Sequence, residues 1–354
     1  MREGNRRTVF SAVLLAPLAV LACGGLPDEP VPPPPMPAVG EVVPLPDDPA
    51  REFDFWLGEW SVANKHLKSD GSWKDTGAAM ARIQPVAGGT AVLERWTGEV
   101  KGDPLIGFSL RAYDPSQGKW DVYLNWHGGK PVGFFLMHGE RNGERMELFP
   151  PGDKTQIRYT FSEAREGSCQ WDSAEYRNGL WFNDWVMQFT RTAPPQPADA
   201  SGTEIEKPPT AAAKYPETRR LDGLLGVWEG RARRPSEDGT WDEGTARLRV
   251  TSMIEGFGLL AFLDTGWGGR TTSALGWDPT ADGWVAVRAD DRTPGLQRLA
   301  GSLDGETASF ASREVRETWT LEAGGKVRFE RSVADGNGAW QSRLVAELER
   351  SGGK

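Results

Sequence analysis

Two stretches of this chain, Phe53-Asp54-Phe55-Trp56-Leu57-Gly58-Glu59-Trp60 and Leu221-Asp222-Gly223-Leu224-Leu225-Gly226-Val227-Trp228, read as one element written twice. Each places Leu-Gly-x-Trp at the head of a long, strand-like, Trp-rich segment. Trp60 and Trp228 stand 168 positions apart. At that same offset Asp70-Gly71-Ser72-Trp73 meets Asp238-Gly239-Thr240-Trp241, and Thr97-Gly98 meets Thr265-Gly266. After a four-residue deletion, Tyr113-Asp114-Pro115 matches Trp277-Asp278-Pro279, and Trp120 matches Trp284. One long duplication accounts for these pairs. Its period rules out a kelch-type propeller, whose blades repeat at about 50 residues.

Within each copy the hydrophobic period is 2, the signature of strands. Phe108, Leu110 and Ala112 alternate with Ser109, Arg111 and Tyr113; Trp120, Val122, Leu124 and Trp126 alternate with Asp121, Tyr123 and Asn125. Breaks such as Asn142-Gly143, Asn178-Gly179, Asp304-Gly305 and Gly324-Gly325 fall at hairpin spacing. Beyond a turn near Phe53 and Leu221, no stretch has helical periodicity. Eight to ten short strands per copy predict an all-β sandwich or up-and-down barrel.

Composition then divides the chain. Residues 24–50 are crowded with proline, which favours a semi-rigid polyproline II spacer of roughly 3 Å per residue. A second Pro- and Ala-rich stretch, 193–216, reads as a linker. All 16 Trp fall outside both, in the two copies at 51–192 and 217–354. A formal charge of -9 without a basic stripe excludes a nucleic-acid partner.

Residues 1–23 read as a leader. Arg2, Arg6 and Arg7 precede an apolar run from Val9 to Ala22, too short to span a bilayer but of signal-peptide length. The run ends in Val20-Leu21-Ala22-Cys23, which resembles the lipobox of bacterial lipoproteins. The resemblance implies lipidation of Cys23, removal of the leader and, with Gly24 next, sorting to the outer membrane facing the periplasm. A cleaved signal peptide with an incidental cysteine is the other reading. If Cys23 carries lipid, Cys169 is a lone thiol and no intramolecular disulfide forms.

Gly-x-Trp on a first strand, just after a short helical turn, resembles the lipocalin-like (calycin) barrels, in a bacterial branch without the usual disulfide. The resemblance implies two tandem antiparallel barrels of about 8–10 strands. It also implies that each Trp closes a barrel floor beneath an Arg of the last strand. Trp185, Met187, Phe189 and Arg191 share one face of the first copy's final strand, and Leu344, Ala346, Leu348 and Arg350 do so in the second. Trp60 is therefore paired with Arg191 and Trp228 with Arg350, in a structural role.

A barrel mouth suits a small hydrophobic ligand. The candidate wall residues are Trp96, Trp126, Trp181 and Trp185 in the first copy and Trp267, Trp277 and Trp319 in the second; each is otherwise ordinary core. No cofactor is expected. A heme reading would use an interior histidine, His127 or His138, the latter turned inward by its parity with Phe134 and Leu136. Glu94, matched with Phe262 in the second copy, is a candidate buried general acid, because tandem lipocalin-like barrels also occur in carotenoid hydratases. Otherwise it faces solvent or pairs with a neighbour. No nucleophile motif or phosphate loop is present. The leading expectation is an envelope lipoprotein that binds or carries a small hydrophobic molecule. The alternatives are a hydratase- or isomerase-type enzyme on a lipid-like or isoprenoid substrate, and an interaction module with filled barrels.

Overall fold

The structure, a computed structural model, describes residues 27, 29–127, 133–152, 156–197, 216–253, 256–279 and 281–351. The leader, Cys23 and most of the linker lie outside the described residues, as does the side chain of His127.

Twenty antiparallel strands form two closed barrels of ten. Barrel 1 comprises β1 (Gly58–Leu67), β2 (Trp73–Val86), β3 (Ala91–Val100), β4 (Asp103–Asp114), β5 (Lys119–His127), β6 (Phe135–Asn142), β7 (Arg145–Phe149), β8 (Ile157–Arg165), β9 (Ser168–Arg177) and β10 (Leu180–Ala193). Barrel 2 comprises β11 (Gly226–Pro235), β12 (Trp241–Met253), β13 (Gly258–Thr265), β14 (Arg270–Asp278), β15 (Gly283–Asp290), β16 (Leu296–Asp304), β17 (Thr307–Ala311), β18 (Val315–Glu322), β19 (Lys326–Ala334) and β20 (Trp340–Arg350). Every strand pairs with its sequence neighbours, and the first closes on the last.

The Leu-Gly-x-Trp element builds one end of each barrel, its floor. Trp60 pairs with Arg191 across β1 and β10, and Trp228 with Arg350 across β11 and β20. The guanidinium of Arg191 lies 4.2 Å from the Trp60 ring centre, and that of Arg350 lies 4.5 Å from Trp228. Gly58 and Gly226 have φ of +134° and +140°, where side chains are rarely tolerated. A Cβ on Gly58 would also come within 2.5 Å of Arg191 Nη1. Each indole returns to the preceding turn: Trp60 Nε1 donates to the carbonyl of Trp56, and Trp228 Nε1 to that of Leu224, both at 2.8 Å. Arg191 donates as well to the carbonyls of Phe55, Leu57 and Glu166.

The alternation along the strands holds, but its sense is reversed where the barrels meet. Phe108, Leu110 and Ala112 of β4 point out of barrel 1. They pack with Leu93 and Tyr123 against Leu260, Phe262, Val285 and Val287 on the outer face of barrel 2. Ser109 and Arg111 of β4 turn inward instead. β13, β14 and β15 are buried on both faces, filled inside barrel 2 and covered outside by barrel 1. The barrels lie side by side and antiparallel. The β2–β3 turn at the floor of barrel 1 meets the open end of barrel 2, where Thr90 Oγ1 donates to the Asp290 carbonyl. Phe134, at the mouth of barrel 1, abuts Gly276 near the floor of barrel 2. The two mouths therefore open in opposite directions.

A bulge at Thr76 breaks the duplication's register: Asn64 pairs with Gly77 and Lys65 with Asp75, whereas β11 and β12 pair without interruption. Through the pairing Glu94 opposite Ile83 corresponds to Ala261 opposite Val250. The match with Phe262 is thus one residue out, and Phe262 faces the inter-barrel core.

The proline-rich stretch does not stand off as a spacer where it is described. It runs down the outside of barrel 1 as a strap. Trp73 Nε1 donates to Pro32 O at 3.0 Å, and Gln188 Nε2 to the carbonyls of Pro34 and Pro35 at 3.3 Å. Further on, Gly167 N donates to Val39 O and Val43 N to Ala164 O. The strap's own Met36 and Leu45 are buried.

Candidate functional site: the mouth of barrel 2

Inside barrel 2 the floor half is apolar and aromatic; Trp228, Leu248, Trp284, Trp319 and Phe329 fill it. The mouth half is charged. Alternation on β15 turns Arg288 and Asp290 inward, while Val287 and Ala289 face barrel 1. Glu317 of β18 and Arg331 of β19 come in from the opposite wall. Asp290 Oδ2 accepts from Arg331 Nη1 at 2.9 Å, from Arg288 Nη2 at 3.0 Å and from Thr271 Oγ1 at 3.0 Å. Glu317, fully buried, accepts from Arg331 Nε at 3.0 Å, with Arg288 Nη1 at 3.4 Å. Burial favours the neutral form of Asp290, but Arg331 and Arg288 outweigh it and hold the carboxyl below its ordinary range. Burial, then the neighbouring Arg331, lowers Arg288.

Above this cluster lies a cavity of about 230 Å³ that opens at the mouth. Leu263, Trp267, Val315, Val333 and Leu344 supply apolar wall. Arg292 and Arg343 stand at the rim with Asp291. Arg292 Nη2 donates to the Trp267 carbonyl at 3.2 Å, and the Arg234 guanidinium lies 5.0 Å from the Trp267 ring, which fixes the indole at the rim. Four guanidinium groups thus face three carboxylates, Asp290, Asp291 and Glu317. The site carries one positive charge in excess beside apolar surface.

The sequence did not single out Arg288, Asp290, Glu317 or Arg331. Their signal was charged residues at inward parity within strands of otherwise apolar residues, visible only once β15 is known to be covered outside. Trp267 does line this mouth, but Trp277 and Trp319 lie in the floor half, Trp277 against Trp284 and Trp319 against Phe329. In barrel 1, Trp96 is buried in the interior, Trp126 packs on Phe135, and Trp185 donates to Asn64 Oδ1 at 3.1 Å. Trp181 faces outward over Arg158, because the pairing of β9 and β10 slips between Asn183 and Trp185 and reverses parity.

His138 is a correction. It shares parity with Phe134 and Leu136 as read from sequence, but that side is the outer face of barrel 1, covered by barrel 2. Its Nδ1 lies 2.9 Å from Asp121 Oδ1, and it offers no ligand to the interior. His66 is the described histidine that faces the interior; it stacks on Trp185 with ring centres 5.2 Å apart, and burial pushes it down to about 3. Among the described residues no three His, Cys, Asp or Glu side chains gather as a metal set.

Glu94 faces the interior of barrel 1 as half of an ion pair. Its Oε2 accepts from Ser109 Oγ at 2.7 Å and from Arg111 Nη2 at 3.1 Å. Arg111 is buried against the floor, 4.1 Å from the Trp56 ring and 4.8 Å from Phe53. Cys169 is buried, and burial raises its thiol far above the ordinary range.

No family profile matches the sequence, and no curated protein matches it. Among solved structures the chain is similar to a protein of unknown function of the DUF3598 family from Nostoc punctiforme. The identity is 13% over 84% of this chain and 97% of that one, at a TM-score of 0.28. It is also similar to Rv2717c from M. tuberculosis, at 16% identity over 39% of this chain and 98% of that one, with a TM-score of 0.31.

Proposed function

We propose that the protein is a lipid-anchored envelope protein of two lipocalin-like barrels, and that barrel 2 binds a small amphipathic monoanion, such as a carboxylate, at its mouth. The observation that carries this reading is the cavity lined by four arginines and two carboxylates, with Glu317 paired to Arg288 and Arg331 beneath it, beside Leu263, Trp267, Val315, Val333 and Leu344. Arg288, Asp290, Glu317 and Arg331 pair with one another as ions and form the base of the cavity. At the rim Arg292 stands 4.0 Å from Asp291 and donates to the Trp267 carbonyl, while Arg343, whose Nη2 donates to Gln341 Oε1, carries the charge left over where a ligand enters. A carboxylate there neutralises the site, and its apolar part covers the wall. The hydrophobic-carrier reading is kept for the ligand's tail and amended for its head. At about 230 Å³ the cavity takes a molecule smaller than a typical drug.

The enzyme alternative rested on Glu94, and its ion pair with Arg111 favours a structural part for that carboxylate. The anchor at Cys23 rests on the leader sequence alone.

The test is calorimetric titration of the purified protein with a short series of alkyl carboxylates and the alcohols and amines of equal length. Carboxylates are expected to bind saturably, and the amines not to bind. Arg343→Met, at an exposed rim position, is expected to weaken carboxylate binding at least about tenfold, as loss of one charge-assisted hydrogen bond implies. Equal binding of carboxylate and alcohol, or no effect of Arg343→Met, removes the reading.

A further inference from the structure

We infer that the mouth of barrel 1 is the membrane-facing end of the molecule, its β9–β10 hairpin resting on a lipid surface while the mouth of barrel 2 opens away from it. This rests on the anchor at Cys23 proposed above, and on the path of the strap.

The direction of that path is fixed by contacts. Pro49 accepts from Trp120 Nε1 and Pro46 from Arg141 Nη1 toward the floor of barrel 1. Upstream, the chain climbs past Ala164, Gln188 and Trp73. It reaches the β1–β2 turn at the mouth, where a Cβ on Gly71 would lie 3.9 Å from Pro27 and 3.7 Å from Val31. The strap is held along this course. Gly40 is pressed on Glu166, with 2.9 Å left for a Cβ, and backbone bonds on both sides of it tie the chain to the β8–β9 turn. It therefore does not act as a free leash.

Cys23 precedes Pro27 by four residues, which extend at most about 14 Å. A lipid on Cys23 thus draws the end of the molecule that carries the mouth of barrel 1 to the headgroup region. The rim suits that position. Leu180 and Tyr176 are exposed on the hairpin, 50% and 39% respectively, with Arg177 between them. An aliphatic and an aromatic side chain flanking a cation are what an interfacial contact uses. Because the barrels are antiparallel, the arginine-lined mouth of barrel 2 then faces the aqueous side, where a water-borne anion can reach it.

The experiment uses the full chain acylated at Cys23, purified from membranes and reconstituted on vesicles of phosphatidylethanolamine and phosphatidylglycerol. Leu180→Cys and Asn337→Cys, on the exposed turns at the mouths of barrels 1 and 2, each receive an environment-sensitive dye; Cys169 is buried and stays unlabelled. The dye at 180 is expected to shift to the blue and lose most of its emission to lipid-borne quencher, while staying shielded from iodide. The dye at 337 is expected to behave as it does in solution. If the protein floats with the vesicles but both sites respond alike, or 337 is the one quenched, the orientation is wrong and the anchor stands. If acylated and Cys23→Ser proteins float equally or not at all, the anchor reading and the orientation fall together.

Discussion

Replacing Arg191 by methionine should destabilise the protein far more than replacing Arg350, although the two residues occupy the same place in the two copies. Both guanidinium groups stack on the floor Trp at nearly the same distance, 4.2 and 4.5 Å, so the cation–π contribution of about 0.5–2 kcal/mol is common to both. The difference lies in the carbonyls. Arg191 is half-buried and donates to Phe55, Leu57 and Glu166, closing the turn that precedes β1; its loss leaves three acceptors without their charged donor. Arg350 is exposed and makes one long bond, 3.4 Å, to Gly223. At about 1–1.5 kcal/mol for each partly solvated charge-assisted bond added to the stacking, Arg191→Met costs about 4–6 kcal/mol and Arg350→Met about 2–3. Urea unfolding followed by Trp fluorescence and by far-UV circular dichroism measures both. Arg191→Lys keeps the charge but not the fork, and is expected to fall between. Equal losses, or a larger loss at Arg350, would show that stacking alone carries the energy and that the reasoning about the carbonyls is wrong.

Other expectations follow from the same interior. Glu94→Gln strands the buried Arg111 and should cost about 3–5 kcal/mol, while adding Arg111→Met should restore most of it; a single variant that keeps full stability contradicts the pairing. Burial pushes Asp184 up to about 6, against a hydrogen bond from Ser173. Its folded value exceeds the unfolded one, so the stability it lends is complete below about pH 4 and lost as pH rises through 6, roughly 3 kcal/mol in all. Asp184→Asn should therefore stabilise the protein at pH 8 relative to wild type by more than it does at pH 4.5, and a gain independent of pH refutes this. His66 has the opposite sign: pushed down to about 3 by burial and by Lys101, it stabilises above pH 6.5 and loses that contribution as pH falls, which offsets Asp184 between pH 4 and 6. Asp172, likewise pushed up to about 6 by burial, leaves wild-type stability falling as pH rises over that range. Starting the chain at Asp47 removes the strap and the burial of Met36 and Leu45, which should lower stability by about 3 kcal/mol. Unchanged thermal unfolding of that form would return residues 24–50 to the status of a spacer.

Much of this was legible in the chain before folding. Leu-Gly-x-Trp repeated at 168 positions, with an Arg sharing the apolar parity of each last strand, named the contacts Trp60–Arg191 and Trp228–Arg350, because they depend only on strand parity and on which strands close the barrel. The hairpin signals and period 2 gave the antiparallel all-β class. Alternation, however, says only that a strand has two unlike faces. Which face is inside depends on what lies across from each, and here the second barrel covers the outside of the first. Tertiary packing therefore turned Phe108, Leu110 and His138 outward and put Arg111 and Glu94 within. For the same reason the charged mouth of barrel 2 was hidden in sequence: Arg288 and Asp290 read as the solvent side of β15 until Val287 and Ala289 are seen to be covered by barrel 1. Two single-residue irregularities, at Thr76 and at Asp184, reversed parity downstream and displaced Glu94 from Phe262 and Trp181 from the interior. Composition could say that residues 24–50 would be extended; only the carbonyls offered to Trp73 and Gln188 decided that they lie against the barrel.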